Sequence, residues 1–282
     1  MSGRSVAQAC KTWVSLWLRA SLLAIALAVA ALPARADIKV DLELVLAVDA
    51  SRSIDAFEYR LQRMGYAKAL IHPTVIGAIT SGPLRRIAVS YVEWSGAVQQ
   101  ATLVGWTVID GKASAAAFAE KLTAAPRRFL GGTSISGAIG YSLRMFHGNG
   151  IRGTRRVIDI SGDGPNNRGV PSVVARDAAV RAGITINGLA ILNDRPSRPP
   201  WPEEPVDIHY KTKVIGGPGA FMMVVKGFDA FAAAIRNKLI REIAEGGAGR
   251  SAREDYACAA THSPCIAVTS VRNTSQPGDT RP

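Results

Sequence analysis

The chain has 282 residues, of which 48% are hydrophobic and 20% are charged, and its formal net charge is +12. This length suits one large α/β domain with a well-buried core and additional segments at the ends. The basic residues are scattered and form no long run with interleaved aromatics, which disfavours nucleic-acid binding, whereas a basic surface favours acidic partners.

Residues 1–36 have the features of a secretory signal peptide. A basic start without acidic residues leads into the apolar run 21–32, and Ala34 and Ala36 fit a small-x-small cleavage site. The alternative is an uncleaved anchor beginning near Val14, which would carry Arg19 in the bilayer. Because a span takes roughly 20 apolar residues, we expect cleavage, no transmembrane anchor afterwards, and a periplasmic or secreted protein.

Two cysteines remain after the leader, Cys258 and Cys265, both near the C-terminus. In an oxidising compartment they could form a local disulfide. A zinc site is disfavoured because only His262 lies nearby and such a site needs four ligands. Residues 247–282 are polar and lack periodicity, so we predict a flexible C-terminal tail.

Between these ends, residues 37–246 alternate between strand and helix patterns. The predicted strands are 41–48, 86–94, 101–109, 156–161, 184–192 and 221–225, and the predicted helices are 54–70, 114–124, 135–146, 170–182 and 228–245. This alternation predicts a doubly wound α/β fold with a mostly parallel sheet and helices on both faces. The short loop at 95–96 predicts a hairpin, and hence one antiparallel strand at an edge. We expect Pro73 to end or kink the first helix, and residues 193–219 to be a long connection.

Three separated segments supply oxygen-bearing side chains to one edge of the predicted sheet. Asp49, Ser51 and Ser53 form a D-x-S-x-S run after the first strand, Thr133 follows two glycines, and Asp163 closes a later strand. The carboxyl ends of parallel strands meet at one edge, where ligands of such folds bind. Two carboxylates and three hydroxyls suit a hard divalent cation such as Mg²⁺. Taken singly, each segment could instead be a helix cap or a turn.

These five positions resemble the metal-ion-dependent adhesion site of von Willebrand factor type A domains, over residues 40–246. The sequences of residues 191–196 and 214–221 are similar to those of a secreted bacterial branch of that superfamily without an assigned function. The resemblance implies that Ser51 and Ser53 bind Mg²⁺ (or Mn²⁺ or Ca²⁺) directly, and Thr133 directly or through water. It implies that Asp49 and Asp163 act mainly through water. A partner protein would then supply an Asp or Glu carboxylate as the remaining ligand.

The connection after the strand at 184–192 begins at the same edge of the sheet. We therefore expect Asn193, Arg195 and Trp201 to be candidate partner-binding residues. Five prolines between residues 193 and 207 stiffen this segment and lower the entropy lost on binding. The alternative is that Trp201 packs on its own domain.

The sequence favours a non-enzymatic, metal-dependent protein-binding module. The main alternative is a phosphatase-like, metal-dependent hydrolase using Asp49, but that class needs a second carboxylate where this chain has Ser51. No convincing general base stands out among the four histidines, which are His72, His147, His209 and His262. A dinucleotide enzyme is disfavoured because no G-x-G-x-x-G follows the first strand. A third alternative is an accessory subunit that presents metal to an export or assembly machine.

Overall fold

The computed structural model describes residues 36–192, 204–227 and 230–244, together with the backbone of residues 268–270. The chain divides between Asp37 and Ile38, and every described strand and helix follows this division. The strands are β1 (Ile38–Asp49), β2 (Ile87–Trp94), β3 (Gln100–Ile109), β4 (Ile151–Gly162), β5 (Thr185–Leu192), β6 (Phe221–Lys226) and β7 (Val268–Ser270). The helices are α1 (Ala56–Leu70), α2 (Pro73–Ser81), α3 (Lys112–Ala124), α4 (Ile135–Met145), α5 (Ser172–Arg181), α6 (Val206–His209) and α7 (Phe231–Ala244).

The described strands form one sheet in the order β3-β2-β1-β4-β5-β6-β7. The five central strands are parallel, and β3 runs antiparallel to β2 at one edge. The predicted fold class is therefore confirmed. At the other edge, β7 adds a short strand antiparallel to β6, inside residues 247–282, where the sequence pattern indicated no regular element.

Both faces of the sheet are covered, as the apolar strand sequences require. On one face, Leu42, Leu44 and Leu46 of β1 pack into a core shared with residues of α1, α2, α3 and α7. On the other face, Val45 and Ala47 belong to a second core shared with residues of α4 and α5. This double burial explains why β1 is a nearly continuous apolar run and not an alternating one.

The register of the parallel strands brings the candidate site together. Asp49 at the end of β1 lies opposite Trp94 at the end of β2. On the other side of β1, Val48 lies opposite Ser161 near the end of β4. Asp163, two residues further along the chain than Ser161, therefore emerges beside Asp49 at the same edge of the sheet.

The first predicted helix is confirmed to end near residue 70, but a second helix that the sequence analysis did not predict follows it. Asp55 caps α1 through a capping box with Glu58, and α1 ends at Leu70. Pro73 follows the end of α1 and occupies the first turn of a new helix, α2. His72 caps α2 by accepting a hydrogen bond from the Thr74 backbone N–H. Proline fits this position because the first helical N–H groups have no intrahelical acceptor.

The described part of the connection predicted at 193–219 contains regular structure. Residues 204–219 contain α6, followed by a π-helical turn at Tyr210–Val214. Tyr210 and Val214 are buried in the second core, so this segment covers β5. Within the described ranges, no helix is long and apolar enough to cross a membrane. The predicted leader, apart from Ala36, lies outside the described residues.

Candidate metal centre

The structure gathers four of the five predicted ligands through direct hydrogen bonds. The Ser51 amide donates to Asp49 Oδ1 at 2.7 Å, which folds the D-x-S-x-S loop back over the end of β1. The Ser51 and Ser53 hydroxyls lie 3.0 Å apart, and Ser53 Oγ donates to Asp163 Oδ1 at 2.7 Å. Asp49 and Ser51 are buried, whereas Ser53 is exposed, so the cluster extends from the interior to the surface.

Thr133 completes the set from the loop between α3 and α4. Its side chain is buried. A Cβ placed on Gly164, next to Asp163, would lie 3.7 Å from Thr133 Oγ1. The five side chains thus come from three segments that are far apart in sequence, as the sequence predicted.

One buried oxygen in this cluster is unsatisfied. Asp49 Oδ2 accepts no hydrogen bond from the part of the chain that the structure describes. Burial raises the pKa of Asp49 well above its ordinary value, and the Asp163 carboxylate raises it further, although Ser51 and Arg127 act in the opposite direction. A bound divalent cation would offset both the burial and the repulsion. The donor set therefore fits a hard cation.

The donor chemistry also limits the kind of metal. Within the described ranges, no group of three or more His, Cys, Asp and Glu side chains could hold a metal ion. A site with two carboxylates and three hydroxyls offers only oxygen, which suits Mg²⁺, Mn²⁺ or Ca²⁺ better than softer metals.

Arg127 holds the D-x-S-x-S loop in place, a role that sequence reasoning missed. Its Nη2 donates to the carbonyl oxygens of Ala50, Ser51 and Ile54 at 2.8, 3.1 and 2.9 Å. The same guanidinium lies over the Tyr59 ring, 4.7 Å from the ring centroid. Arg127 therefore fixes the backbone that carries the candidate ligands Ser51 and Ser53.

Glu93, a buried carboxylate near the end of β2, organises the segment that contains Arg127. Its Oε1 accepts from the amides of Arg128 and Phe129 at 2.7 and 2.9 Å. Its Oε2 accepts from the Tyr59 hydroxyl at 2.7 Å. A charged residue inside an apolar strand was the only sequence signal for this role.

Ser95 fixes the glycine pair before Thr133. Ser95 Oγ accepts from the Gly131 amide at 2.7 Å, and its carbonyl accepts from the Ser134 amide at 2.7 Å. A Cβ on Gly131 would lie 2.6 Å from Ser95 Oγ, so a larger residue would displace the loop. Asn167 adds a bond from the other side, because its Oδ1 accepts from the Thr133 amide at 3.0 Å.

His209 lies in a Ser–His–Glu arrangement behind the loop that carries Asp163. Its Nε2 lies 3.2 Å from Ser172 Oγ and accepts from the Asn166 amide at 3.2 Å, and its Nδ1 lies 2.9 Å from Glu204 Oε2. Burial lowers the pKa of His209, with Glu204 opposing this, so the neutral ring is favoured. Ser172 is only 2% exposed. The arrangement therefore anchors a loop and does not present a nucleophile.

Several predicted residues lie outside the described residues. These are the candidate partner-binding residues Asn193, Arg195 and Trp201, and the possible disulfide partners Cys258 and Cys265. The structure tests none of these predictions.

Comparisons with known proteins place the chain in a family. Residues 39–247 match the family described as "Protein of unknown function (DUF1194)". No curated protein matches the chain.

Solved structures with this fold are similar at low sequence identity. A von Willebrand factor type A protein from Catenulispora acidiphila has a TM-score of 0.51 at 14% identity, and covers 73% of this chain and 43% of its own. Proximal thread matrix protein 1 from the mussel byssus, with a zinc-occupied MIDAS motif, has a TM-score of 0.51 at 13% identity. The match covers 72% of this chain and 46% of that protein's chain. The pilus adhesin SpaC from Lactobacillus rhamnosus GG has a TM-score of 0.53 at 14% identity. The match covers 74% of this chain and 32% of the adhesin's chain.

This chain spans less than half the length of each of these structures. The likeness shows a shared fold. The chain belongs to the DUF1194 family, and its fold is that of a von Willebrand factor type A domain.

Proposed function

We propose that this protein is a metal-dependent protein-binding module of the adhesion or assembly type, acting outside the cytoplasm. It would use Mg²⁺, or Mn²⁺ or Ca²⁺ in its place, to bind an Asp or Glu carboxylate of a partner. The observation that carries the proposal is the convergence of five oxygen-bearing side chains on one sheet edge, with the buried Asp49 Oδ2 unpartnered by any described group.

The chemistry of the set explains why a partner carboxylate would complete it. Hydroxyl ligands from Ser51, Ser53 and Thr133 are neutral, so a bound cation keeps much of its positive charge. Mg²⁺ prefers six ligands in octahedral geometry and retains waters, which leaves a position for an outside oxygen. A partner carboxylate supplies that oxygen with a compensating negative charge.

The similar structures support a binding role. One of them has a zinc-occupied MIDAS motif and another is a pilus adhesin. The leader predicted at residues 1–36 supports a periplasmic or secreted location.

We also propose that the protein is not an enzyme. The residue two positions after Asp49 is Ser51, where a phosphatase-like hydrolase would need a carboxylate. His209 contacts the loop that follows Asp163, and both of its ring nitrogens already have partners: Nε2 accepts from the Asn166 backbone N–H, and Nδ1 lies 2.9 Å from Glu204 Oε2. It therefore has no free nitrogen with which to activate water.

Calorimetric titration with Mg²⁺ tests the metal site directly. We expect a stoichiometry near one for the wild type and strongly weakened binding for Ser51→Ala. Ser81→Ala is the matched control, because Ser81 is an exposed serine at the end of α2 whose hydroxyl only bonds the Ala78 carbonyl. No heat of binding at millimolar Mg²⁺ in the wild type would refute the site.

Capture of partners from an envelope extract then tests the function. We expect proteins retained in Mg²⁺ and released by EDTA, and the same loss with Ser51→Ala. Metal-dependent hydrolysis of p-nitrophenyl phosphate that disappears in Asp49→Ala would instead favour the hydrolase.

A further inference from the structure

The loops that carry or support the candidate metal ligands expose large apolar side chains. Phe57 in the first turn of α1 is 61% exposed, and Val98 in the β2–β3 turn is 92% exposed. Leu130, just before the glycine pair, is 61% exposed, and Val170, after the Asp163 loop, is 55% exposed. We call these four residues the apolar rim.

Hydrogen bonds hold these loops next to one another. The Arg52 amide donates to the Gly131 carbonyl at 2.9 Å, which joins the D-x-S-x-S loop to the segment carrying Leu130. Gly131 is bonded in turn to Ser95, at the base of the turn that carries Val98.

The fourth loop is joined to the same structure. Ser134 Oγ donates to the Arg168 carbonyl at 2.9 Å, which ties the loop carrying Val170 to the Thr133 segment. A Cβ on Gly169 would lie 3.6 Å from the Ala97 Cβ, so Val98 and Val170 are carried by neighbouring backbone. The loops that carry Val98, Leu130 and Val170 are therefore joined into one frame with the loops that carry the candidate ligands.

Exposed apolar side chains on such a frame contribute little to folding, because they bury little surface within the domain. When several of them surround a polar site, they are typical of a surface that binds another protein. Because the same loops carry these side chains and the candidate ligands, a partner that reaches the cation would lie close to them.

The charge at this edge selects one kind of occupant. Arg52, Arg128 and Arg168 are exposed on the same loops. Within the described ranges, the guanidinium groups of Arg52 and Arg128 form no ion pair with a carboxylate. Three cations and a bound metal favour a partner with acidic groups and disfavour a basic one.

We propose that the partner is a protein segment in which an Asp or Glu is flanked by large apolar side chains. The carboxylate would bind at the metal, and the flanking side chains would pack on the apolar rim, with Leu130 and Val98 as principal contacts. This inference rests on the proposed function and adds the class of sequence that the site would select.

The test is selection of a phage-displayed library of random 12-residue peptides on the purified protein in Mg²⁺, with elution by EDTA. We expect enrichment of peptides with one acidic residue next to Leu, Ile, Val, Phe or Trp. A selected peptide should bind Leu130→Ser and Val98→Ser about tenfold more weakly, in line with the loss of one well-packed contact.

Leu84→Ser is the matched control, because Leu84 is also a partly exposed loop leucine but lies before β2, at the opposite edge of the sheet. It should leave peptide affinity unchanged. Mg²⁺ calorimetry on all variants should give wild-type metal affinity, which separates a damaged site from a lost apolar contact.

Different failures have different meanings. EDTA-eluted peptides with an acidic residue but no apolar preference, or equal affinity for Leu130→Ser and the wild type, would overturn this inference and leave the proposed function standing. Apolar peptides without an acidic residue, retained in EDTA, would assign the surface to another kind of occupant and also overturn it. Absence of both Mg²⁺ binding and EDTA-eluted peptides would refute the proposed function itself.

Discussion

At the scale of single residues, the candidate metal site depends on a side chain that is not itself a predicted ligand. Arg127 is the one guanidinium that bonds three carbonyl oxygens of the D-x-S-x-S loop within the described structure. Its planar group can bridge several acceptors at fixed angles, whereas a lysine ammonium is a flexible point charge. The loop geometry should therefore be sensitive to this residue even when the charge is kept.

We predict that Arg127→Lys weakens Mg²⁺ binding by roughly 10- to 100-fold, the range found for residues that support metal ligands. The domain should remain folded, as judged by circular dichroism, because the two cores do not involve this side chain. Isothermal titration calorimetry measures the change. Arg128→Lys is the control, since its exposed side chain makes no bond to the loop; equal losses in both variants would contradict the assigned role.

Some residues of the candidate site could be predicted from the sequence and others could not. The convergence of the five predicted ligands could be predicted because each follows a strand end or a glycine pair, and parallel strands bring those positions to one edge. The supporting residues Glu93, Ser95 and Arg127 were not predictable. They act through backbone amides and carbonyls of segments about 35 to 80 residues away, and no spacing rule encodes such contacts.

At the scale of elements, α7 is attached to the sheet by a buried group of charges. Lys238 Nζ lies 2.6 Å from Asp159 Oδ1 of β4 and 2.5 Å from Glu242 Oε1 of its own helix. Asn187 of β5 donates to Glu242 Oε2 at 2.7 Å. The four side chains are almost completely buried. They fix the register of α7 on β4 and β5 in a way that apolar contacts alone would not.

This group carries two carboxylates and one ammonium, so one negative charge lacks a full counterion among its members. Burial raises the pKa of Asp159 to about 6; Lys238 acts against this and Glu242 adds to it. Burial alone would lower the pKa of Lys238, but Asp159 and Glu242 outweigh it and the pKa is raised. Lys238 therefore stays charged while Asp159 titrates.

The raised pKa of Asp159 predicts a pH dependence of stability. Its protonated form is favoured in the folded state, so its contribution is complete below the ordinary pKa of 3.8 and is lost as the pH rises through about 6. Between pH 4 and 7, the wild type should lose more than about 1 kcal/mol of unfolding free energy relative to Asp159→Asn. Urea denaturation at several pH values measures this difference.

Asp110→Asn provides the comparison, because Asp110 is an exposed carboxylate at the start of α3. This variant removes one carboxylate that lies outside the buried group of charges. A profile for Asp159→Asn parallel to the wild type over the same pH range would show that Asp159 titrates with its ordinary pKa and would remove the argument.

Element prediction succeeded where apolar periodicity was strong and failed where turns or long-range packing decided the outcome. The strands predicted at 86–94 and 184–192 match β2 and β5 within about one residue. In contrast, β4 begins at Ile151 and not at 156, because polar residues and Gly153 hide a strand that pairs with β1. The helical structure of α6 and the π-helical turn is stabilised by burial of Tyr210 in the second core. The local sequence pattern does not reveal this long-range contact.

At the scale of the whole molecule, the site lies at the end of the central strand, so metal binding should stabilise the entire domain. Asp49 belongs to β1, which pairs with both β2 and β4 in the middle of the sheet. Burial and Asp163 disfavour the charged form of Asp49 without metal. An ionised Asp49 is therefore destabilising at the centre of the metal-free protein, as groups in ligand sites commonly are.

We predict that Mg²⁺ at about 100 times its dissociation constant raises the unfolding free energy by about 2.7 kcal/mol. For a domain of this size, that corresponds to an increase in melting temperature of roughly 5 to 10 °C. Differential scanning calorimetry in Mg²⁺ and in EDTA, at equal ionic strength, measures the shift.

Asp49→Asn separates this linkage from a general salt effect. The amide keeps an oxygen to accept the Ser51 N–H and removes the buried charge, so the metal-free variant should melt at a higher temperature than the metal-free wild type. It should also show no shift with Mg²⁺. Asp177→Asn, which changes an exposed carboxylate on α5, should keep the full wild-type shift. A Mg²⁺ shift of equal size in Asp49→Asn and the wild type would mean that the ion acts elsewhere, because a cation bound at the end of β1 cannot stabilise the fold without the carboxylate that anchors its ligands.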